Sequence, residues 1–170
     1  MNWEAVSAIG QAVGAVAVVI SLVYLAAQIR DNTRATRSAT RQSIIDSIVA
    51  VNLALPQSDS LARAFRADVD GKTLEPHEAL QLLAHTYAYM RTWENAHFQY
   101  RSGMLSDEDW NGFRQNVKAL MQVRFYRDFW EREREVFSQA FRREVTAILR
   151  EIPASPVLER SLLFEKKATQ

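Results

Sequence analysis

From Ala5 to Ile29 no side chain carries a charge, and within that run Ser7, Gly10, Gln11, Gly14, Ala17, Ser21 and Gln28 recur at helical spacing. On a helix turning about 100° per residue they share an arc of roughly 120°, with Val16, Val19, Ile20 and Val23 on the opposite side. About 20 apolar residues rising 1.5 Å each cross a hydrocarbon core roughly 30 Å thick, so the run predicts a membrane-spanning helix. A second helical stretch is expected from about Thr33 to Leu55. No Pro or Gly separates it from the first, so the two can be one continuous helix, closed by Pro56-Gln-Ser-Asp59.

Helical periodicity and scarce Gly and Pro continue downstream, without a strand pair and hairpin turn, and the fold class is read as all-α. A short helix is expected near Ser60 to Ala67, followed by a turn at Asp70-Gly71. From Glu75 to Ser102, Leu80, Leu83, Tyr87, Met90, Trp93 and His97 mark a long amphipathic helix, with Pro76 in its first turn and Gly103 at its stop. Ser106 before Asp107, Glu108 and Asp109 reads as an N-cap opening a helix through Trp110, Phe113, Val117 and Met121. Asp128-Phe-Trp-Glu131 has the spacing of another cap, and Ser138 that of a last helix start through Phe141, Val145 and Leu149. Pro153 and Pro156 end regular structure.

The organisation that follows is a transmembrane anchor at 1–30, a juxtamembrane helix at 31–56, a small cytoplasmic helical bundle at 57–152 and a C-terminal tail at 153–170. Met1-Asn-Trp-Glu4 lacks the basic start of a secretory signal, so the run is expected to persist as an anchor. Arg30, Arg34, Arg37 and Arg41 crowd one flank against Glu4 on the other, which predicts a single pass with the N-terminus outside and the rest cytoplasmic. The same four arginines are candidate lipid-headgroup contacts. Among 170 residues, 21 basic and 20 acidic side chains nearly cancel, so no nucleic-acid partner is expected. Absence of cysteine excludes disulfides, thiolate metal sites and cysteine nucleophiles.

Lipid cannot pair an amide, so the stripe of Ser7, Gly10, Gln11, Gly14, Ala17, Ser21 and Gln28, continued by Asn32 and Thr36, is expected to meet another protein surface. The simplest is the same face of a second copy. Such a homo-oligomer is either a dry, close-packed bundle or a ring whose polar stripe lines a water-filled path, a pore or channel, with Asp46 at its cytoplasmic mouth. The alternative role is a non-conducting membrane-anchored scaffold or signalling protein with a cytoplasmic domain for an unidentified protein partner.

Glu94-Asn-Ala-His97 matches half of a di-iron motif, but the three histidines, His77, His85 and His97, provide no second Glu-x-x-His. A polar core network of Glu94 and His97 with Trp93 and Tyr100 is expected instead, with no metal and no cofactor. Asp107 to Asp109 read as helix capping. Arg124 to Arg134 mixes basic and aromatic residues in a way that suits single-stranded nucleic acid, yet its carboxylates favour a packed aromatic face beneath a charge-paired outer one. Walker, dinucleotide-binding, Gly-x-Ser-x-Gly and zinc-ligand patterns are absent, and no enzyme is expected.

Ser21 to Thr33, Trp93-Glu94, Gln99-Tyr-Arg-Ser-Gly103, Trp110 and Phe137-Ser-x-x-Phe141 together resemble a family of small, uncharacterised bacterial membrane proteins. The resemblance covers most of the chain and implies one N-terminal transmembrane helix and a helical cytoplasmic domain at the inner membrane, with no known activity. Gln139 stands where many such relatives have Pro after the serine.

Overall fold

The computed structural model describes residues 2–153, which are all-helical and include no strand. The expectations for the tail beyond Pro153 lie outside the described residues. Two compact units divide between Ala39 and Thr40. Helix α1, Trp3–Gln57, contributes to both and absorbs the two expected stretches without a break. Pro56 lies in its last turn, where a missing N–H and a ring clashing with the carbonyl four residues back stop the helix.

Five more helices follow: α2 Asp59–Val69, α3 Pro76–Arg101, α4 Asp107–Leu120, α5 Arg124–Glu133 and α6 Gln139–Arg150, with a 3-10 turn at Arg134–Val136. Local chemistry sets most of their starts. Ser58, Ser106 and Ser138 each accept the backbone N–H three residues on with their hydroxyl oxygen. The Asp109 carboxylate answers by accepting the Ser106 N–H, closing a capping box, and Glu75 and Glu78 close another at α3. Gly71 and Gly103, with φ of +68° and +74°, make the left-handed turns after α2 and α3 that other residues rarely adopt.

Asp128 does not cap a helix. It lies inside α5, which opens at Val123 without a side-chain cap. Tyr126, Phe129 and Trp130 are all buried, and their three- and four-residue spacing requires helix on both sides of Asp128.

The core of the second unit is aromatic. Trp93 from α3, Phe129 and Trp130 from α5, Phe137, and Phe141 from α6 close around Met90, Val117, Met121 and Val145. From α1, Ile44 is fully buried and Ile48 packs beside it, so this side of the helix completes the bundle. A smaller cluster of Leu61, Ala64 and Leu82 joins α2 to α3.

Arg114 clamps α4 to the end of α6. Its guanidinium donates to Glu144 at 2.8 Å and to both carboxylate oxygens of Glu151 at 2.9 and 2.6 Å, and Lys118 adds a contact at 3.2 Å. Hydrogen bonds from Arg114, then from Lys118, hold the Glu151 carboxyl down to about 2. A carboxylate with a depressed folded pKa stabilises above its unfolded value, and that stability disappears as pH falls through the folded one. Thermal stability should therefore fall between about pH 4.5 and 2, and Glu151→Gln should flatten that part of the Tm–pH profile. Identical profiles for the two proteins would remove Glu151 as a source of acid sensitivity.

Candidate functional site

Within α1 the stripe residues Ser7, Gly10, Gln11, Gly14, Ala17, Ser21, Gln28, Asn32 and Thr36 are all exposed. Exposure extends to the opposite side, where Val19, Ile20 and Val23 are 58 %, 63 % and 66 % accessible. Among the described residues one helix is long and apolar enough to cross a membrane, and none of that window is buried. A large apolar surface left bare in this way needs a cover, since isolated soluble domains rarely expose so much.

Several polar groups of the stripe are already bonded along the helix. The Ser21 hydroxyl donates to the Ala17 carbonyl at 2.9 Å, the Gln28 amide to the Tyr24 hydroxyl at 2.8 Å, and the Thr36 hydroxyl to the Asn32 carbonyl at 2.9 Å. Such four-residue back-bonding is the local alternative open to a hydroxyl in a helix, and it removes the requirement that Ser21 find a partner outside. Gln11 is different: among the described residues its side chain finds none. At Gly10 and Gly14 an added Cβ would meet nothing within 4 Å, so no packing among the described residues calls for glycine at either place.

Arg30, Arg34 and Arg37 are exposed and unpaired among the described residues. Arg41 differs. Its Nε donates to the Asp109 carboxylate at 2.6 Å, tying α1 to the capping box of α4. Ser106 first, and then Arg41, lower the pKa of Asp109. Sequence reading placed Arg41 among the lipid contacts and missed this partner. The available signal was that Arg41 shares a helix side with Ile44 and Ile48, which enter the core.

The remaining candidates resolve into architecture. Burial pushes the Glu94 carboxyl up, but the Ser138 N–H and the Arg91 guanidinium outweigh it and its pKa is lowered. Glu94 accepts that N–H at 2.6 Å and so braces the start of α6. His97 is buried between Trp110 and Phe141, with ring centroids 5.0 and 5.9 Å away, and burial lowers its pKa. The expected polar network is thus replaced by tilted ring contacts: among the described residues the buried Trp93 indole N–H has no partner, and the Tyr100 hydroxyl instead donates to Asp107 at 2.9 Å. Among the described residues no group of three His, Asp or Glu side chains could hold a metal. On α5 the aromatic face is packed inward, and Arg124 lies 3.5 Å from Asp128 on the outside.

These observations define a class: an all-α protein with one long, apolar N-terminal helix and a separate aromatic-cored unit. No protein-family model, characterised protein or solved structure matches the chain.

Proposed function

We propose that the chain is a single-span membrane protein of the bacterial inner membrane that self-associates through the Gly10, Gln11 and Gly14 face of α1, with its aromatic-cored unit in the cytoplasm. The observation that carries this reading is the apolar window of α1, which none of the described residues buries. Lipid covers the valine side, and a second copy covers the face where two glycines lie open and an amide lacks a partner. Arg30, Arg34 and Arg37 set the orientation by the excess of positive charge on the cytoplasmic flank.

Of the two roles open to such an assembly, the non-conducting anchor is favoured by the hydrogen bonds of Ser21 and Gln28. A dry interface can bury the Ser21 hydroxyl, whose donor is already used, and Gln28, with one amide hydrogen bonded, leaves fewer groups for a facing copy to satisfy. The anchor then presents the cytoplasmic unit in pairs or small clusters to a protein partner. A pore, the more specific role for the same stripe, requires at least enough copies to enclose an opening.

Subunit number in mild detergent tests the association, with an oligomer expected. Gly14→Ile should weaken it by about tenfold or more, roughly 1.4 kcal/mol, through lost backbone approach. A monomer at all concentrations, or an oligomer indifferent to Gly14→Ile and Gln11→Leu together, defeats the assigned interface. Planar-bilayer recordings separate the roles: silence fits the anchor, whereas a current abolished by Gln11→Leu and Ser21→Leu establishes the pore.

A further inference from the structure

A groove of about 340 Å³ opens between α2, α3 and α5. Its floor is apolar, built from Leu82, Leu83, Phe125 and Phe129. Asp68, Asp128 and Glu133 also line it, with Arg132 among them and Arg124 reaching Asp128 at 3.5 Å, which leaves one carboxylate in excess along this rim. The volume is about twice the roughly 150 Å³ that admits a benzene ring, enough for more than one apolar side chain. Neither the exposed face of α1 nor its assembly uses this groove, which lies wholly within the second unit.

The chain carries a segment whose chemistry complements it. Leu162-Leu163-Phe164 is followed by Glu165-Lys166-Lys167, three apolar residues and then two cations. We propose that this groove is the docking site for the chain's own segment Leu162–Lys167, with Leu162, Leu163 and Phe164 on the apolar floor and Lys166 and Lys167 at the Asp68 and Asp128 rim.

Three observations favour this occupant. The first is reach. The Pro153 carbonyl accepts from Arg127 at 2.7 Å, which places the start of the outgoing chain on α5, the helix that supplies Phe125, Asp128 and Phe129 to the groove. A helix with its side chains is about 10 Å across, and the nine residues from Pro153 to Leu162 have a maximum reach of about 30 Å. The second is order along the chain: apolar residues precede the lysines, as the apolar floor adjoins the acidic rim. The third is charge. Burial, and then the nearby Asp128 carboxylate, raise the pKa of Asp68 by more than Arg124 and Arg132 lower it, so a docked lysine would further stabilise its charged form. Tethering gives the segment a high effective concentration over any free competitor, so modest complementarity is sufficient.

The absence of cysteine allows a direct test on the full chain in mild detergent. In Leu83→Cys/Leu163→Cys, mild oxidation should form an intrachain disulfide at least about tenfold faster than in Phe98→Cys/Leu163→Cys, whose α3 partner is exposed and outside the groove. Equal rates would mean random collision and overturn the proposal. So would a mixture of the two single variants, Leu83→Cys and Leu163→Cys, cross-linking between chains as fast as the double variant closes, which would assign the groove to another copy. A second measurement leaves the tail sequence intact. Leu83→Glu, at a position already 38 % accessible, should speed tryptic cutting after Lys166 and Lys167 severalfold while Tm stays unchanged. Unaltered cutting with an intact fold would overturn the proposal independently.

Discussion

Lysine at both Val16 and Ile20 should move the protein from the membrane pellet to the soluble fraction. The two positions are a helical turn apart on the side of α1 away from Gly10, Gln11 and Gly14, and Val16 is 59 % and Ile20 63 % accessible. Neither touches the proposed interface between copies. At the centre of a spanning helix each lysine costs about 2.5–3.5 kcal/mol on insertion scales, so the pair withdraws about 5–7 kcal/mol. That corresponds to a partition change of roughly ten-thousandfold. Among the described residues the core of the second unit begins at Ile44, so the soluble product should keep its near-ultraviolet circular dichroism and its Tm. Fractionation followed by alkaline extraction of the pellet checks the outcome. Retention of the double variant as tightly as the unmodified chain would mean that protein, not lipid, covers the valine side. The anchor reading would then fail together with the orientation drawn from Arg30, Arg34 and Arg37.

What could be read from the sequence was whatever one helix settles by itself. Ser58, Ser106 and Ser138 cap their helices through bonds spanning three residues, and Ser106 and Ser138 were therefore visible before any fold was known. Asp128-Phe-Trp-Glu131 looked equivalent but lost to a stronger local pattern, because Tyr126, Phe129 and Trp130 must face the core together. The stripe on α1 was legible for the same reason, being confined to one helix. Its meaning was overdrawn at Ser21, since a bond to the carbonyl four residues earlier is equally local and satisfies the hydroxyl. By contrast, the pairing of Arg41 with Asp109, the tie of Glu94 to Ser138 and the meeting of Asp68 with Asp128 join residues distant in the chain. Each depends on how helices are placed against one another, which periodicity does not encode. The polar network expected of Glu94 and His97 with Trp93 and Tyr100 is absent among the described residues for the same reason: one side chain is drawn to α6 as a brace and the other lies among tilted rings.

Trp130→Ala should be the most damaging single change within the second unit. Trp130 is 2 % accessible and lies at the junction of α5, the 3-10 turn and α6, its ring centroid 5.4 Å from that of Phe137 and 5.8 Å edge-on from that of Phe141. Truncating a buried tryptophan costs about 3–5 kcal/mol, because the lost transfer energy is joined by a cavity the surroundings cannot fill. Here relaxation is further limited, since Phe137 and Phe141 also contact each other, and Arg91 lies 4.7 Å over the Phe137 ring. Against a total of about 5–15 kcal/mol, such a loss is a large fraction of the stability and should appear as a marked fall in Tm and in denaturant midpoint. Trp93→Phe supplies the contrast. Trp93 is as buried as Trp130, but among the described residues its indole N–H has no partner, a defect worth about 1–3 kcal/mol that phenylalanine removes along with part of the ring. The gain offsets the smaller cavity, and the net change should be under about half that of Trp130→Ala. Equal losses at the two positions would mean that ring volume alone governs this core and that the unpaired N–H carries no penalty.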